Sequence, residues 1–272
     1  MNQILKKLKH LTFSYFYIYS VVIVVFTIII ACYVFMSNLE REHLRFEVNN
    51  EISYVQNDIV RDFHEHEVAL TNIAEVILRK IKYGESADTI REYLQSISNS
   101  KLFSHNSENH KIIDLQGFFE VFGDKPPTDE PWYKKAIEAK GNVAFIEPVW
   151  DFALNMIVVA YAINILDENG KSLGSLYLKL DFNNIIERVC NMQTINNGWG
   201  ILLNSKLIVI AHKNRDFISH HIDSINIGIR VFSNDFKQKT EFSEQEMINY
   251  LNEKAITFFK LIDNDLYLGV VM

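Results

Sequence analysis

The chain has 272 residues, of which 48% are hydrophobic, and a formal net charge of -7 at pH 7. This length allows a membrane anchor together with one large domain or two small ones. The acidic balance, without any basic face, argues against a nucleic-acid partner. The two cysteines, Cys32 and Cys190, are far apart and show no CxxC or Cys/His zinc spacing, so the sequence excludes a disulfide-stapled fold.

The segment over residues 13–36 is long and apolar enough to cross a membrane. It contains no charged residue, and its length of roughly 24 residues matches a hydrocarbon core of about 30 Å. A signal peptide would have a shorter apolar region that ends in small residues at a cleavage site, whereas Tyr33 to Met36 end this one. The lysines of residues 1–12 hold that end in the cytoplasm. We therefore predict a cytoplasmic-membrane protein with a single transmembrane helix, and an extracytoplasmic, periplasmic domain after Met36.

Residues 37–82 are predicted to form a long helix that rises from the membrane. They include no Gly or Pro, and apolar residues recur at helical spacing on one side. The opposite side is strongly charged, which is compatible with a solvated helix or with a homodimer formed along it. Tyr83 and Gly84 end this helix, and a second helix is predicted over Ala87–Ser98.

Two antiparallel sheets are predicted after these helices, which gives an α+β fold. The predicted elements are, in chain order, a strand with a glycine break over Ile112–Gly123, a short helix from Pro131, an extended segment over Glu147–Asp151, strands over Ile157–Ile165 and Ser175–Phe182, a helix over Asn183–Cys190, a hairpin of Ile201–Leu203 with Leu207–Ala211, a helix over Ser243–Ala255, and strands over Ala255–Leu261 and Leu266–Val271. Asp167–Gly170 is a strong hairpin signal. In the strand after it, alternation puts Leu176, Leu178 and Leu180 on one face and Tyr177, Lys179 and Asp181 on the other.

Aromatic residues and carboxylates are concentrated between Pro126 and Asp151. Prolines and an acidic turn lead into a short helix that opens with Trp132 and Tyr133, and an extended segment then ends in Trp150 and Asp151. Aromatic walls beside a few polar groups are typical of a small-molecule pocket. Aromatic residues also fill ordinary cores, and composition alone leaves both interpretations open.

No motif for catalysis, or for a resident metal or cofactor, is found. His64-Glu65-His66-Glu67 places its histidines two positions apart, on different sides of a helix, and lacks the HExxH spacing. His220 and His221 form a loop pair with no third ligand nearby in sequence. There is no GxSxG, Walker loop or paired cysteine. We predict that this chain is not an enzyme and that it holds no metal and no cofactor.

Several short motifs follow one another along the chain in an order that is typical of a known domain family. They are Pro131–Ala136, Glu147–Asp151, Gly170 with Leu173–Leu176, Gly198–Leu203 and Ile208–His212. Together they resemble the double Cache extracytoplasmic sensor domain of bacterial chemoreceptors, histidine kinases and diguanylate cyclases, over about residue 38 to the C-terminus. Phe118–Asp124 and the Gly198–Leu203 segment are most similar to the Cache domains of hybrid sensor histidine kinases.

The resemblance implies two PAS-like modules, a membrane-distal one over residues 83–190 and a membrane-proximal one over residues 191–272. It also implies that a small molecule binds in the distal module, between the helix that carries Trp132 and the sheet. Occupancy there would be transmitted through the long helix, and such sensors usually work as dimers along it.

The resemblance further implies which residues would bind that ligand. Family members that bind amino acids share a Tyr, an Arg two positions before the Trp, the Trp-Tyr pair, an Asp after the Pro, and a later strand Asp. Trp132, Tyr133 and Asp151 match this set, whereas Glu130 stands in place of the Arg and Lys179 in place of the later Asp. Tyr177 and Trp150 are further candidates for the ligand-binding walls.

These two exchanges change the expected ligand chemistry. Glu130 would repel a carboxylate, and Lys179 would repel an ammonium at its usual place. Either Glu130 pairs with Lys179 and closes a degenerate site, or the pocket accepts a different polar ligand. The function predicted is therefore the sensor of a transmembrane signalling receptor, with a histidine kinase as its output. The alternatives are an interaction or dimerisation module without a small ligand, or the sensor of a chemoreceptor or diguanylate cyclase. Because family members continue beyond the second module, we expect a chain that ends at Met272 to be a fragment of such a receptor or a stand-alone remnant.

Overall fold

The computed structural model describes residues 2–99, 112–192, 198–225, 242–262 and 265–272. The α-helices of these residues are α1 (Asn2–Lys82), α2 (Ala87–Ser98), α3 (Pro131–Glu138) and α4 (Asn183–Cys190). Their strands are β1 (Ile112–Phe118), β2 (Val143–Asp151), β3 (Met156–Leu166), β4 (Ser172–Asp181), β5 (Trp199–Leu203), β6 (Val209–His212), β7 (Phe242–Ile248), β8 (Lys254–Ile262) and β9 (Leu266–Val271).

The N-terminal part of α1 is an exposed apolar helix. Its most apolar window has a mean hydropathy of 2.6 with none of its residues buried, and it is the one helix among the described residues that is long and apolar enough to cross a membrane. Residues 13–36 and 37–82, which the sequence divides into a membrane segment and a rising helix, belong to one unbroken helix. Residues 1–49 form a compact unit separate from residues 50–272.

From residue 50 onward, α1 buries one stripe of its surface. The buried apolar residues follow a helical period, as the sequence predicted, and are Ile52, Val55, Ile59, Phe63, Leu70, Ile73, Ala74 and Ile77. The helix ends at Lys82 because Gly84 adopts a φ of 75° and its N–H bonds back to the carbonyl of Ile81. A left-handed glycine in this position satisfies carbonyls that the last turn leaves free.

The first sheet has the strand order β1-β4-β3-β2 and is antiparallel throughout. The predicted alternation in β4 is confirmed, because Leu176, Leu178 and Leu180 are fully buried. On the face that these leucines share, Phe63 of α1 contacts Phe145 of β2 with ring centroids 5.1 Å apart. The opposite face carries α3, which packs on β3, β2 and β4.

The second sheet has the strand order β6-β5-β9-β8-β7. Helix α4, predicted over the same residues, leads into it and packs on β5 and β6. Gly200 permits this close packing, since a Cβ at that position would lie 2.1 Å from the carbonyl oxygen of Val189. Any side chain there would force α4 away from the sheet.

The helix predicted over Ser243–Ala255 is wrong. Residues Phe242–Ile248 form β7, which pairs with β8 in antiparallel register from Phe242 opposite Lys260 to Ile248 opposite Lys254. The connecting turn is organised by Asn249, whose side-chain oxygen accepts hydrogen bonds from the N–H groups of Leu251 and Glu253. Glu, Gln and Met favour a helix locally, but pairing with a buried neighbouring strand outweighs that preference.

Candidate ligand-binding site

Helix α3 places two aromatic side chains on the first sheet. Pro131 is its first residue, where the missing N–H costs no hydrogen bond. Trp132, Tyr133 and Ala136 form the buried face of the helix and pack against Ala162 of β3. Because Ala162 is small, the helix can lie close to the central strand.

Trp132 is the centre of an aromatic stack. Its ring lies on that of Tyr177 in β4, with centroids 4.8 Å apart and planes inclined by 29°. Phe118 of β1 meets it at 5.6 Å and Tyr133 at 5.8 Å. These are favourable offset and edge-to-face distances for aromatic pairs. The stack spans α3 and the two strands β1 and β4, so the aromatic stretch does face a sheet, as the sequence suggested.

Tyr133 is held by a carboxylate that the sequence analysis did not identify. Its hydroxyl donates a 2.5 Å hydrogen bond to Oε1 of Glu120, in the short helical turn after β1. Burial and this bond together raise the pKa of Tyr133 to about 12. The ring is therefore fixed as a neutral donor to Glu120, and no feature of the sequence connects these two residues.

Lys179 forms an ion pair with Asp151 on the same face of the sheet. The Nζ of Lys179 lies 3.1 Å from Oδ2 of Asp151, and both side chains are largely buried. The other oxygen of Asp151 accepts hydrogen bonds from the N–H groups of Ala153 and Leu154. The bond from Lys179 is the main cause that lowers the pKa of Asp151. Burial is the largest single effect on Lys179 and lowers its pKa, but the bond to Asp151 and the charges of Tyr177, Asp151 and Asp114 together raise the pKa of the lysine overall.

Of the two alternatives left open by the sequence, the pairing of Glu130 with Lys179 is contradicted by the structure. Lys179 bonds to Asp151, while Glu130 is exposed at the N-terminus of α3 and its side chain makes no capping bond. Glu130 is nevertheless close enough to Tyr177 to act on it. Burial is the main cause that raises the pKa of Tyr177, and Asp114, Asp151 and Glu130 raise it further, against the opposing effect of Lys179.

Trp150 lies on the opposite face of the sheet from the other candidates. In β2, Asp151 is opposite Met156 and Trp150 is opposite Ile157. Since successive residues of a strand point to opposite faces, Trp150 shares the face of Ile157 and Tyr161. The structure thus brings together Trp132, Tyr133, Tyr177, Lys179 and Asp151, with Glu130 near Tyr177, and leaves Trp150 outside this group. We call the group of Trp132, Tyr133, Tyr177, Lys179, Asp151 and Glu130 the α3 site.

Asp114 and Phe118 join the α3 site without having been predicted. Asp114 of β1 is opposite Lys179, and Phe118 is opposite Ser175 two residues before Tyr177. If the sequence had shown that β1 pairs with β4, the alternation of side chains in β4 would have placed Asp114 and Phe118 on this face. Asp151 and Asp114 act on Lys179, whereas Glu120 bonds to Tyr133 and Glu130 acts on Tyr177. The residues named for this face thus include four carboxylates and one lysine.

A separate open groove lies along α1. It has a volume of about 360 Å³ and is lined by His64, Glu67, Val68, Thr71, Asn72, Asn142 and Val143. None of the predicted ligand-binding residues lines it. His64 is exposed there, whereas His66 is buried and stacks on Tyr161 at 5.8 Å. Among the described residues, no group of three or more His, Cys, Asp or Glu side chains is placed to hold a metal ion.

Comparison with known proteins gives one sequence relative. No protein-family profile matches the chain. The methyl-accepting chemotaxis protein McpA of Bacillus subtilis is 26% identical over 145 residues, which is 50% of this chain and 21% of that protein. The match thus spans about a fifth of the relative's length.

Solved structures show the fold. The ligand-binding domain of the Pseudomonas fluorescens chemoreceptor CtaA in complex with L-serine has a TM-score of 0.60 at 16% identity, over 85% of this chain and 98% of that one. The chain has the fold of a bacterial ligand-binding sensor domain. The periplasmic sensory domain of the Campylobacter jejuni chemoreceptor Tlp1 shares this sensor fold at TM-score 0.62 and 14% identity, over 85% of this chain and 93% of that one.

The extracellular domain of the histidine kinase mmHK1S-Z3 also shares the sensor fold. Its TM-score is 0.63 at 12% identity, over 86% of this chain and 93% of that one. The α+β, double-Cache-like fold expected from the motifs is confirmed, whereas the closer likeness to hybrid histidine kinases stays a prediction. These neighbours are sensor domains and not catalytic domains, which supports the prediction that this chain is not itself an enzyme.

Proposed function

We propose that this chain is the extracytoplasmic sensor portion of a single-pass or larger transmembrane signalling receptor, and that it detects a small molecule at the α3 site. The observation that carries the proposal is the stack of Trp132 on Tyr177 at 4.8 Å beside the Lys179–Asp151 ion pair. An aromatic wall next to convergent charged groups is what a small polar ligand requires, and the sensor fold places this wall between a helix and a sheet.

The charges of the α3 site favour an amine over a carboxylate. Lys179 is already paired with Asp151, and Asp114 is close enough to raise the pKa of the lysine as well. A carboxylate ligand would meet Glu130 and Asp114 while Lys179 is occupied by Asp151, whereas an ammonium would be attracted by these carboxylates and by the aromatic faces. Neighbours of the same fold were solved with L-serine, L-isoleucine, L-arginine and GABA. We expect this chain to prefer a ligand with a cationic group and no free carboxylate.

The sheet itself connects the α3 site to α1. Ala160 and Ala162 of β3 share the face of Lys179 and Tyr177, to which they are paired. Tyr161 between them points to the other face, where it contacts His66 of α1 and Phe145. A ligand that binds two arrangements of β3 with different affinity would therefore shift the packing of α1 as well.

A binding screen tests the proposed function. The full chain in detergent micelles is mixed with a panel of amines, amino acids and carboxylates, and its Tm is measured. We expect an amine to raise the Tm, and Trp132→Ala to abolish that rise. Trp150→Ala is the matched control, because Trp150 lies on the opposite face of the sheet and its removal should leave the response in place. A ligand site beside α3 would be contradicted if no compound of the panel raised the Tm, or if both variants lost the rise in Tm equally.

Two kinds of output are considered for the receptor, a histidine kinase and a chemoreceptor. A signalling receptor of the bacterial membrane is the common element of the neighbours, and the histidine kinase among them supports the kinase output predicted from the motifs. The partial match to a methyl-accepting chemotaxis protein supports a chemoreceptor instead. The reading frame downstream of Met272 separates the two outputs, because a kinase and a methyl-accepting segment are readily told apart.

A second candidate function is an interaction module that binds no small ligand. The observation in its favour is that Lys179 and Asp151 satisfy each other and that Trp132 is only 8% exposed, so the α3 site is closed by its own side chains. Crosslinking in membranes tests this candidate. A heterologous protein trapped through the α3 face, together with a silent ligand panel, would favour it over the sensor.

We further propose a homodimer along α1. Tyr54, Arg61, Val68 and Glu75 are exposed at intervals of seven residues, which is the spacing that keeps one helix face against a partner. In a chain with Cys32 and Cys190 replaced by Ser, Tyr54→Cys is expected to form a disulfide-linked dimer in membranes. Ser53→Cys, one position around the helix, is the control and should crosslink much less; equal yields would contradict the proposed face.

A further inference from the structure

The second sheet has buried polar groups that the proposed sensor function does not use. Trp199 of β5 and His212 of β6 are 8% and 1% exposed. Within the described part of the chain, neither Nε1 of Trp199 nor Nε2 of His212 has a hydrogen-bond partner. Buried polar atoms are nearly always paired, so two unpaired nitrogens in adjacent strands indicate that an acceptor belongs between or beside them.

The hydrogen bonds of His212 favour one position for its proton. Its Nδ1 accepts a 2.9 Å hydrogen bond from the backbone N–H of Asn214, which is shorter than the 3.2 Å between Nδ1 and the carbonyl oxygen of the same residue. A neutral imidazole that accepts at Nδ1 must carry its hydrogen on Nε2. Burial also lowers the pKa of His212 and so favours the neutral ring. Nε2 of His212 is therefore a donor, as Nε1 of Trp199 always is.

Two further rings complete the cluster around these donors. Tyr250, in the turn between β7 and β8, meets Trp199 at 5.4 Å and His212 at 5.3 Å. Phe217 meets His212 at 5.1 Å and Tyr250 at 5.3 Å. Tyr250 and Phe217 are each only half-buried. The cluster of Trp199, His212, Phe217 and Tyr250, which we call the four-ring cluster, thus has a closed inner side and an outer side at the surface.

Asparagine side chains fix the loops that carry the outer rings. Asn214 accepts a 3.0 Å hydrogen bond from the N–H of Asp216, next to Phe217. Asn249, directly before Tyr250, accepts bonds of 2.9 and 3.0 Å from the N–H groups of Leu251 and Glu253, which follow Tyr250 in the turn. The walls of the cluster are therefore positioned independently of any ligand, which lowers the cost of ordering them on binding.

A buried hydroxyl lies on the same face of the sheet. Thr257 of β8 is opposite Val271, which is in turn opposite Trp199. Facing residues of neighbouring strands share one face, so Thr257 and Trp199 do so too. Thr257 is fully buried, and its Oγ1 has no hydrogen-bond partner among the described residues. This part of the sheet therefore carries hydrogen-bond donors and aromatic rings. The five side chains described here have no formal charge; they are those of Trp199, His212, Phe217, Tyr250 and Thr257.

We propose that the four-ring cluster is a second ligand site, which takes a small uncharged molecule with an acceptor oxygen, such as a ketone. The acceptor oxygen receives the N–H groups of Trp199 and His212, and the apolar part of the molecule packs against Phe217 and Tyr250. A carboxylate would lose its hydration there without a cationic partner, and an ammonium would lose its hydration without a carboxylate among the side chains of the cluster. The site belongs to the second sheet and does not rest on the ligand proposed for the α3 site.

Indole NMR of the full chain tests this site directly. The sequence has three tryptophans, so a chain labelled with ¹⁵N-indole in detergent micelles gives one signal for each, assigned by Trp199→Phe and Trp150→Phe. The probes are acetone, cyclohexanone and acetophenone, which cover three sizes of ketone. We expect at least one of them to shift the Trp199 signal saturably and to leave the Trp150 signal in place. His212→Phe removes one donor and is expected to weaken the apparent Kd about tenfold.

Tm measurements supply a second readout. The rise in Tm that the effective ketone gives should be lost in Trp199→Phe and kept in Trp150→Phe. It should also be kept in Trp132→Ala, which removes the α3 site, so the two proposals fail separately. The inference is overturned if no ketone shifts Trp199, if His212→Phe binds as well as the unchanged chain, or if cyclohexylamine or cyclohexanecarboxylate shifts Trp199 as strongly as cyclohexanone.

Discussion

The ammonium of Lys179 in β4 lies 3.1 Å from the carboxylate of Asp151 in β2, although β3 separates the two strands. The residue opposite Lys179 in β3 is Ala160, whose small side chain leaves room for the lysine to cross the central strand. The protein thereby supplies its own cation to Asp151 on the face that carries α3. This pair controls which charges a ligand meets at the α3 site.

Removing this internal cation should make the α3 site a better receptor for amines. In Lys179→Met the side chain keeps its length, but Asp151 loses its partner and becomes available to a ligand. We expect the apparent Kd for n-butylamine, measured by Tm shift of the full chain in micelles, to fall about tenfold, since charged hydrogen bonds are strong in partly buried sites. Lys134→Met, on the exposed side of α3, is the control. Equal affinities in the two variants would show that Asp151 is not part of the ligand site.

The same ion pair predicts how stability changes in acid. The hydrogen bond from Lys179 is the largest cause that lowers the pKa of Asp151 in the folded chain. A carboxyl group whose pKa is lowered in the folded chain stabilises the fold at pH values above the ordinary aspartate pKa of about 3.9. That contribution is lost as the pH falls through the lowered pKa of the folded chain. The Tm of the unchanged chain should therefore drop below about pH 4 more steeply than that of Asp151→Asn. Asp216→Asn, at an exposed carboxylate, should keep the steep drop.

The sequence predicted the local elements best where burial and capping act within one segment. The bounds of α2 and α4 were predicted correctly, because each combines an apolar stripe with a clear end. The face of Tyr177 and Lys179 followed from alternation alone. The strand β7 was missed because its pairing with β8 is a contact between segments, and because the turn made by Asn249 and by Asn252, which has a φ of 63°, was not recognised.

The site could be predicted only as far as its strands could be paired. Trp150 and Asp151 are adjacent in sequence, and the pleat of β2 nevertheless puts them on opposite faces. The partner of Lys179 could not be chosen from sequence either, since both Glu130 and Asp151 are carboxylates and the choice depends on the space above Ala160. Glu120 was missed because its link to Tyr133 joins a helix to a distant turn.

The bond from Tyr133 to Glu120 should contribute measurably to stability. Tyr133 is 7% exposed and its hydroxyl lies 2.5 Å from the carboxylate. We expect Tyr133→Phe to lower the free energy of unfolding by about 1–2 kcal/mol, at the low end for hydrogen bonds to charged groups because Glu120 is only half-buried. Urea unfolding of the full chain in micelles gives this value. In a double-mutant cycle with Glu120→Gln, additive losses would mean that the two residues do not interact.

Tyr133 should also titrate at an unusually high pH. Its pKa is raised to about 12, against an ordinary tyrosine value of about 10. The protonated hydroxyl is the form that the fold favours, so its contribution is complete below about pH 10 and is lost as the pH rises towards the folded value. Subtracting the tyrosinate absorbance of Tyr133→Phe from that of the unchanged chain should isolate a titration with a midpoint near 12. A midpoint at the ordinary value would contradict the buried bond.

Arg188 is expected to fasten α4 to α1. Its guanidinium bonds to Asp62 of α1 and lies 3.9 Å from Asp58, and the side chain of Asp62 is only 10% exposed. Arg188→Met would leave these carboxylates without the guanidinium in a partly desolvated place. We expect the free energy of unfolding to fall by about 2 kcal/mol, less than the 3–5 kcal/mol of a fully buried pair because a quarter of the arginine is exposed.

Arg61 provides the matched control for this prediction. It also pairs with Asp58, at 2.9 Å, but its side chain is 61% exposed. Surface pairs of this kind contribute little, so Arg61→Met should change the free energy of unfolding by about 0.5 kcal/mol or less. Hydrogen exchange gives a local readout, because loss of the Arg188 contact should lower the protection of the α4 amides relative to those of α3. Equal effects of the two arginine variants would show that burial of the Asp62 contact is not what holds α4 on α1.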